Sequence, residues 1–202
     1  MQSLITRIAA VLIAAAAALL FTSCTSQQAS DGHTDHSHDD EPVITGEPAG
    51  FNADDVAFAT SMIPHHQQAV DLAALVPERS TNPELLALAE QISNAQAPEI
   101  QAMRVLLVQW NENPDADTGH EGHGADMQGM VDDATMARLA TLNGPEFETL
   151  WLQSMIGHHQ GAIEMAKAEI AHGENVDAKR LAQTIIDTQQ AEIDQMNQML
   201  GG

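Results

Sequence analysis

A six-residue motif that occurs twice is the feature that most constrains how this chain can fold. Residues 62–67 read Met-Ile-Pro-His-His-Gln, and residues 155–160 read Met-Ile-Gly-His-His-Gln. The copies lie 93 positions apart, and the same offset pairs other residues of the two halves, including Phe58 with Trp151, Leu88 with Leu181, Glu99 with Glu192 and Met103 with Met196. A constant offset that needs no gap indicates an internal duplication. We therefore expect two structural repeats, each with one adjacent histidine pair, related by approximate two-fold symmetry.

The residues available for a core favour helices. Aromatic residues make up 3% of the chain and tyrosine is absent, so the core must use Leu, Ile, Ala, Val and Met, which suit helices better than sheets. Apolar residues recur at three- and four-residue spacing, which predicts helices from Asn52 to about Pro77, and over residues 83–110, 144–172 and 175–199. Two amphipathic hairpins can bury their apolar stripes only on one another. The predicted fold is an all-α four-helix bundle made of two duplicated hairpins.

The sequence divides into three parts. Residues 1–23 read as an export signal, with Arg7 before an apolar run, and residues 22–24 read Thr-Ser-Cys, as in the lipobox whose cysteine receives a lipid. We expect a lipid anchor on Cys24, with simple secretion as the alternative. Residues 24–50 carry six acids and no Lys or Arg, which predicts a disordered tether. The bundle domain follows at 51–200.

Within the bundle domain, repeat one covers about 52–110 and repeat two about 144–200. The connection, residues 111–143, begins with a long acidic loop that contains His120, His123, Met127 and Met130, and ends with a predicted short helix at about 132–142. A loop of this length is usually functional or disordered. The histidines of the tether could bind divalent metal weakly, or the tether could be only a solvated spacer.

Charge and cysteine content exclude several partners. The net charge of -22 disfavours nucleic acid and electrostatic docking on a membrane, and attracts cations. A lipid anchor would be the only membrane contact, and nothing in the sequence identifies a protein partner. Because Cys24 is the only cysteine, the exported domain has no internal disulfide, and a soft-metal site must use His and Met.

The repeated motif has the residue types of a metal site. Adjacent residues on a helix point about 100° apart, so His65 and His66 would face different neighbouring helices, with Met62 one turn away. The second helix of each repeat presents Gln, Glu and Met on its inward face. The candidate metal ligands are Met62, His65, His66, Glu99 and Met103 in repeat one, Met155, His158, His159, Glu192 and Met196 in repeat two, and His120, His123, Met127 and Met130 in the loop.

A second interpretation of these residues needs no metal. Glu99 and Glu192 could accept hydrogen bonds from the imidazoles and so form a buried polar belt. If a metal binds, methionine beside histidine outside the cytoplasm favours copper, because thioethers select Cu(I) or Ag(I). Zinc and iron are weaker interpretations, since structural zinc sites depend on cysteine.

The doubled Met-Ile-x-His-His-Gln motif, the intervening Met127-Gln128-Gly129-Met130 and the Gln-x-x-Glu-Ile pattern of the second helices resemble the bacterial domain of unknown function 305. The resemblance covers about Phe51 to Leu200. It implies a ferritin-like helical fold and export, and some periplasmic members of that family are associated with copper binding and copper tolerance. By this resemblance, the motif role falls on His65, His66 and Met62 and on their equivalents His158, His159 and Met155.

Three functions remain open from the sequence. The first is an exported copper-binding protein that sequesters the ion or passes it on. The second is a ferritin-like oxidoreductase with a di-metal centre, which requires Glu-x-x-His on two helices; this chain has only Glu169-x-x-His172. The third is an envelope interaction scaffold without metal. No hydrolase signature is present, and an enzyme is the less favoured class.

Overall fold

The protein is described here by a computed structural model that covers residues 50–115 and 128–201. The helices are α1 (Ala53–Arg79), α2 (Pro83–Gln109), α3 (Asp133–Leu139), α4 (Gly144–His172) and α5 (Val176–Met199). Within these two ranges there is no strand, and the predicted all-α fold is confirmed. The predicted export signal, Cys24, the tether up to position 49, and His120, His123 and Met127 lie outside the described residues.

Helices α1, α2 and α5 each begin at an asparagine whose side chain caps the first turn. The Asn52 side chain accepts hydrogen bonds from the amides of Asp54 and Asp55, and the Asp55 carboxylate accepts one from the Asn52 amide, which completes a capping box. Asn82 and Asn175 occupy equivalent positions in the two repeats and cap α2 and α5 in the same way. The duplication therefore preserved the start of the second helix in each hairpin.

The first helix extends two residues past its predicted end at about Pro77. Helix α1 continues through Pro64 and Pro77 to Arg79, and the Ser80 amide then donates to the Val76 carbonyl. A proline inside a helix lacks an amide donor, and its ring crowds the carbonyl four residues earlier. Because Pro77 lies on the exposed face of the last turn, the helix can continue past it, and the chain turns instead at 80–82.

The packing joins two helical hairpins through α1 and α4. Helix α1 packs along α2, and α4 packs along α5, while α1 against α4 forms the main contact between the hairpins. The Trp151 indole reinforces this contact by donating to the Leu72 carbonyl (2.8 Å). None of the helices in the described ranges has both the length and the apolar character needed to cross a bilayer.

The buried side chains form two apolar clusters with a polar layer between them. The first cluster includes Leu72, Leu88, Ile92, Trp151 and Ile193, together with Met155 and Met196. The second cluster includes Phe58, Ile100, Leu107 and Ile185, together with Met62 and Met103. Each cluster uses one half of every long helix. The four motif histidines, two glutamines and two glutamates lie at the level between the clusters.

The ends of the bundle are closed by equivalent acids. Asp55, in the first turn of α1, accepts hydrogen bonds from the amides of Glu174 (3.1 Å) and Asn175 (2.9 Å) in the α4–α5 loop. Its counterpart Glu148, near the start of α4, accepts one from the Ser80 hydroxyl (2.5 Å) in the α1–α2 loop. Each hairpin therefore fixes the loop of the other.

Asp55 also faces a buried acid, Glu169, that has no counterpart in repeat one, where the equivalent residue is Val76. Burial would raise the pKa of Asp55, but hydrogen bonds from surrounding amides and from Glu169 outweigh it, so this pKa is lowered. Burial and the neighbouring Asp55 raise the pKa of Glu169 to about 8. With a pKa of about 8, Glu169 is mainly protonated at neutral pH and can donate to the ionised Asp55. Gly173 makes room for it, since a Cβ there would lie 2.3 Å from Glu169 Oε1.

Replacement of Glu169 should change how stability depends on pH. Its folded-state pKa of about 8 exceeds the ordinary 4.5, so the native state holds one more proton than the unfolded state between these values. The free energy of unfolding should therefore fall as pH rises through this window, by up to about 1.4 kcal/mol per pH unit. In Glu169→Gln the amide can still donate to Asp55, and this loss should disappear. Urea denaturation from pH 5 to 8 measures it.

The control for this experiment is Glu164→Gln, which removes an exposed glutamate from the same helix. This variant should keep the wild-type pH profile. An unchanged profile in Glu169→Gln would show that Glu169 does not carry the extra proton.

Candidate metal centre

The four motif histidines meet in the middle of the bundle. Each of His65, His66, His158 and His159 has 0% exposed surface. The equivalent residues His65 and His158 lie against one another across the α1–α4 contact, with ring centroids 3.8 Å apart. The duplication therefore brings one histidine of each motif into contact with its equivalent.

The other histidine of each motif is paired with a glutamate on the second helix of its own hairpin. His66 Nε2 lies 2.8 Å from Glu99 Oε2, and His159 Nε2 lies 2.8 Å from Glu192 Oε2. An ionised carboxylate can only accept, so each Nε2 carries the proton and donates. In a neutral ring with its proton on Nε2, the lone pair is on Nδ1. Histidines that bind metals commonly donate their second ring nitrogen to a carboxylate in this way.

His65 has a different partner, the backbone of the connecting segment. Its Nε2 lies 3.2 Å from the Gln128 carbonyl and donates to it. Residues 128–131, which we call the strap, are also held by Gln68, whose side chain donates to the Val131 carbonyl and accepts from the Val131 amide, both at 2.8 Å. The strap is therefore bound to α1 through both His65 and Gln68, beside the contact between His65 and His158.

Two glycines allow the strap to approach α4. Gly129 adopts φ +88°, a conformation that favours glycine. A Cβ on Gly161 would lie 1.9 Å from the Gln128 carbonyl oxygen. The backbone of the strap thus rests directly on the backbone of α4, and this contact holds the Gln128 carbonyl against His65.

Methionines flank the histidine layer on both sides. Met62 and Met103 belong to the second apolar cluster, and Met155 and Met196 belong to the first. All four have 0% exposed surface. Each apolar cluster beside the layer thus contains two buried thioethers, one pair from each repeat. Met130, also predicted as a ligand, is half-buried in the strap.

The polar layer does not satisfy its own hydrogen-bonding groups. Among the described residues, five imidazole nitrogens and four glutamine amide atoms are buried without a hydrogen-bond partner: Nδ1 of His65, His66 and His159, both ring nitrogens of His158, and the side-chain N and O of Gln96 and Gln189. Such groups each destabilise a fold by about 1–3 kcal/mol when nothing pairs with them. A self-contained polar belt explains the two His–Glu pairs but leaves these atoms unexplained.

His65 and His158 are neutral imidazoles. Burial lowers the pKa of His65 to about 3, and the adjacent His66 lowers it too. Burial also lowers the pKa of His158 well below its usual value, with a further contribution from His65. A neutral imidazole has one unprotonated ring nitrogen, which is the form that binds a metal ion. These two rings therefore offer lone pairs at neutral pH.

The sequence correctly placed Glu99 and Glu192 beside the histidines. In the structure both carboxylates are engaged by imidazole Nε2 atoms, and Gln91 donates a further hydrogen bond to Glu192 Oε1 (3.2 Å). In residues 50–115 and 128–201, no three His, Cys, Asp or Glu side chains are arranged to hold one metal ion. The other candidate donors in the core are the thioethers of the buried methionines and the buried amides of Gln96 and Gln189.

Gln96 and Gln189 were recognised as inward-facing but were not among the predicted ligands. Their signal in the sequence is positional. Each lies one turn before Glu99 or Glu192, and each is identical in the two repeats. A glutamine at equivalent inward positions of both copies indicates a polar site as strongly as the glutamates do, since both residue types need a partner when buried.

Comparison with known proteins identifies the family of the bundle domain. The sequence profile described as "Domain of unknown function (DUF305)" matches residues 55–200. No curated protein matches the chain. A solved DUF305 fragment from Deinococcus radiodurans is 35% identical, covering 74% of this chain and 97% of that chain, with a TM-score of 0.67. A DUF305 protein from Streptomyces coelicolor, inferred to be secreted, is 35% identical and covers 73% of this chain and 91% of that chain (TM-score 0.64).

Structures of a protein named CopM are also similar. In its Cu(II)-bound form CopM is 35% identical, covering 72% of this chain and 94% of that chain, with a TM-score of 0.63. CopM has also been solved in a Cu(I)-bound form and in Ag-bound forms. The fold of this chain is thus shared with a protein that holds copper and silver ions.

Substitution of Gly161 should release the strap. In Gly161→Ala the new Cβ meets the Gln128 backbone at 1.9 Å, so the strap must move and the bond between His65 and Gln128 should be lost. The Val131 amide, bonded to Gln68 in the wild type, should then exchange with solvent at least ten-fold faster. Hydrogen exchange followed by NMR or mass spectrometry measures this.

Gly157→Ala is the matched control, because a Cβ at this position meets nothing within 4 Å. It should leave the strap in place and stabilise the helix by up to about 1 kcal/mol. Equal exchange in the two variants would contradict the close contact between strap and helix.

Proposed function

This chain belongs to the DUF305 family, and on that premise we propose that it is an exported, lipid-anchored protein that binds copper, as Cu(I) or Cu(II), for sequestration or copper tolerance. The observation that carries the proposal is the set of unpaired lone pairs in the core. The Nε2 atoms of His66 and His159 donate to Glu99 and Glu192, and their Nδ1 atoms are buried without a partner among the described residues.

The donor types support copper over other metals. His66 and His159 would bind through Nδ1, and the buried methionines would supply soft sulfur. Thioethers select Cu(I) and Ag(I), whereas imidazole alone also suits zinc and iron. The only cysteine, Cys24, lies outside the bundle, so the cysteine ligands typical of structural zinc sites are not available there. The copper and silver forms of CopM support the same choice.

The two glutamates act on the proposed site through the histidines. Since each accepts from Nε2 at 2.8 Å, Glu99 and Glu192 orient the rings and fix the position of the proton. A carboxylate in this position also makes the imidazole a stronger base and a better ligand. We therefore assign them as orienting partners of the ligands.

The geometry gives little support to a di-metal oxidoreductase. That class needs Glu-x-x-His ligands on two helices, pointing into the core. Glu169 is engaged with Asp55 at one end of the bundle, and His172 is exposed where α4 ends. The interaction scaffold differs from our proposal in one measurable respect, since its stability would not respond to copper.

The proposal predicts that copper binding depends on the buried histidines. The metal-stripped bundle domain should bind Cu(I) and Ag(I), and its melting temperature should rise with ion concentration. At an ion concentration of 100 times Kd the stabilisation is about 2.7 kcal/mol. Replacement of all four motif histidines by glutamine should weaken binding at least 100-fold. Competition with a chromophoric Cu(I) chelator measures the affinity, and circular dichroism verifies the fold.

The exposed His172 provides the control, and His172→Gln should bind as the wild type does. Copper bound no more tightly by the wild type than by the four-histidine variant would refute the proposal. So would a melting temperature that is independent of copper, which is the result the scaffold predicts.

The proposed anchor has its own test. If Cys24 carries the lipid, the full-length protein should be found in the membrane fraction of its host, and Cys24→Ala should appear in the soluble exported fraction. Mass spectrometry of the mature amino terminus should then show acyl chains on the wild type alone. Equal distribution of the two proteins would leave simple secretion as the explanation.

A further inference from the structure

Two buried glutamines are the least explained part of the polar layer. Gln96 and Gln189 are 1% and 2% exposed. In the described part of the chain, neither the nitrogen nor the oxygen of either amide has a hydrogen-bond partner. A primary amide offers two donors and an acceptor with two lone pairs. Burying such a group without partners destabilises the fold, so retention of two of them calls for a ligand.

Their position places both glutamines in the same layer as the histidines. On α2, Gln96 lies between Ile92, which belongs to the first apolar cluster, and Ile100, which belongs to the second. On α5, Gln189 lies between Ile185 and Ile193, which belong to opposite clusters. Each glutamine is also one helical turn from the glutamate that pairs with a histidine. The two amides therefore enter the layer from α2 and α5, whereas the contacting rings of His65 and His158 belong to α1 and α4.

A purely structural role does not account for this arrangement. A leucine of similar size would fill the same space without an unpaired polar group and would match the isoleucines on either side. The glutamine is nevertheless present in both copies, although the repeats differ at most other positions. An anion is also a poor candidate, because Glu99 and Glu192 lie one turn away and would repel it.

We propose that the side-chain oxygens of Gln96 and Gln189 are the ligands that allow this centre to hold copper in its oxidised state. The inference rests on the proposed function and extends it, because it assigns different donors to the two oxidation states. Cu(II) is a harder ion that prefers nitrogen and oxygen donors, whereas Cu(I) and Ag(I) accept thioether sulfur with imidazole. Methionines flanking the layer serve the reduced ion, and amide oxygens within the layer serve the oxidised ion.

The test is a pair of substitutions that remove the amides and keep their volume. In Gln96→Leu/Gln189→Leu, affinity for Cu(II) should fall at least ten-fold, while affinities for Cu(I) and Ag(I) change less than two-fold. Because unpaired polar groups are removed, the metal-free variant should melt at the same temperature as the wild type or higher. Competition titrations with each ion and thermal denaturation of the stripped protein measure these quantities.

Spectroscopy provides an independent readout. Electron paramagnetic resonance of the Cu(II) form should show altered copper hyperfine coupling in the variant, because an oxygen donor has been lost. The matched control is Gln101→Leu/Gln198→Leu, which makes the same chemical change at two exposed positions on the same helices. This control should leave all three affinities and the spectrum unchanged.

Several outcomes would overturn the inference. An unchanged Cu(II) affinity would remove the glutamines from the centre, and an equal loss for all three ions would indicate a structural role. A marked fall in the melting temperature of the metal-free variant would lead to the same conclusion. If the leucine variant does not fold, Gln96→Met/Gln189→Met, with an unbranched side chain of similar length, should lose Cu(II) affinity and keep or gain Cu(I) affinity.

The inference can fail while the proposed function stands. Copper binding that depends on the four histidines but not on the glutamines would have that result. Absence of histidine-dependent binding in the wild type would refute both.

Discussion

The contact between His65 and His158 is the interaction on which the rest of the structure depends. Two neutral imidazoles lie 3.8 Å apart at the point where the hairpins join, in a core that is built mainly from apolar side chains. The duplication makes this contact possible, because equivalent residues of two similar repeats meet at their shared axis. Once polar rings occupy the middle of the bundle, the apolar side chains must separate into two clusters. Everything at that level then needs either a partner or a ligand.

The protein supplies hydrogen-bond partners for only some of these polar groups. Each repeat supplies one glutamate, Glu99 or Glu192, with the same 2.8 Å hydrogen bond to its histidine. The strap is provided once, because the connection between the repeats occurs once, and it serves His65 alone. His158 is therefore left with no hydrogen bond to either ring nitrogen among the described residues. Two equivalent motifs thus form a centre in which the ring of His65 has a hydrogen-bond partner and the ring of His158 has none among the described residues.

The sequence predicted the helices, the bundle and the inward direction of the histidines, because these depend on local patterns: apolar periodicity, asparagine caps and the fixed offset between repeats. It also indicated the partnership of Glu99 and Glu192 as one of two interpretations. It could not predict the contact of the strap with α4, since nothing local shows that Gly161 must admit the Gln128 backbone. The raised pKa of Glu169 was equally inaccessible, because it depends on Asp55, which lies 114 positions earlier in the chain. Pairings of this kind arise only when the tertiary fold brings distant residues together.

The buried polar layer lowers the stability of the metal-free bundle, because several of its polar atoms have no partner among the described residues. Leucine at Gln96 and Gln189, and apolar residues at the histidines, would give a continuous core joining the two clusters, and such a core would be the more stable one. The chain instead keeps unpaired nitrogen and oxygen atoms there in both repeats. Since each destabilises the empty protein by about 1–3 kcal/mol, an ion that satisfies several of them would recover much of that free energy on binding. Under the proposed function, the atoms that weaken the metal-free bundle strengthen its hold on the ion, so its affinity for the ion and the lower stability of the empty protein have one physical origin.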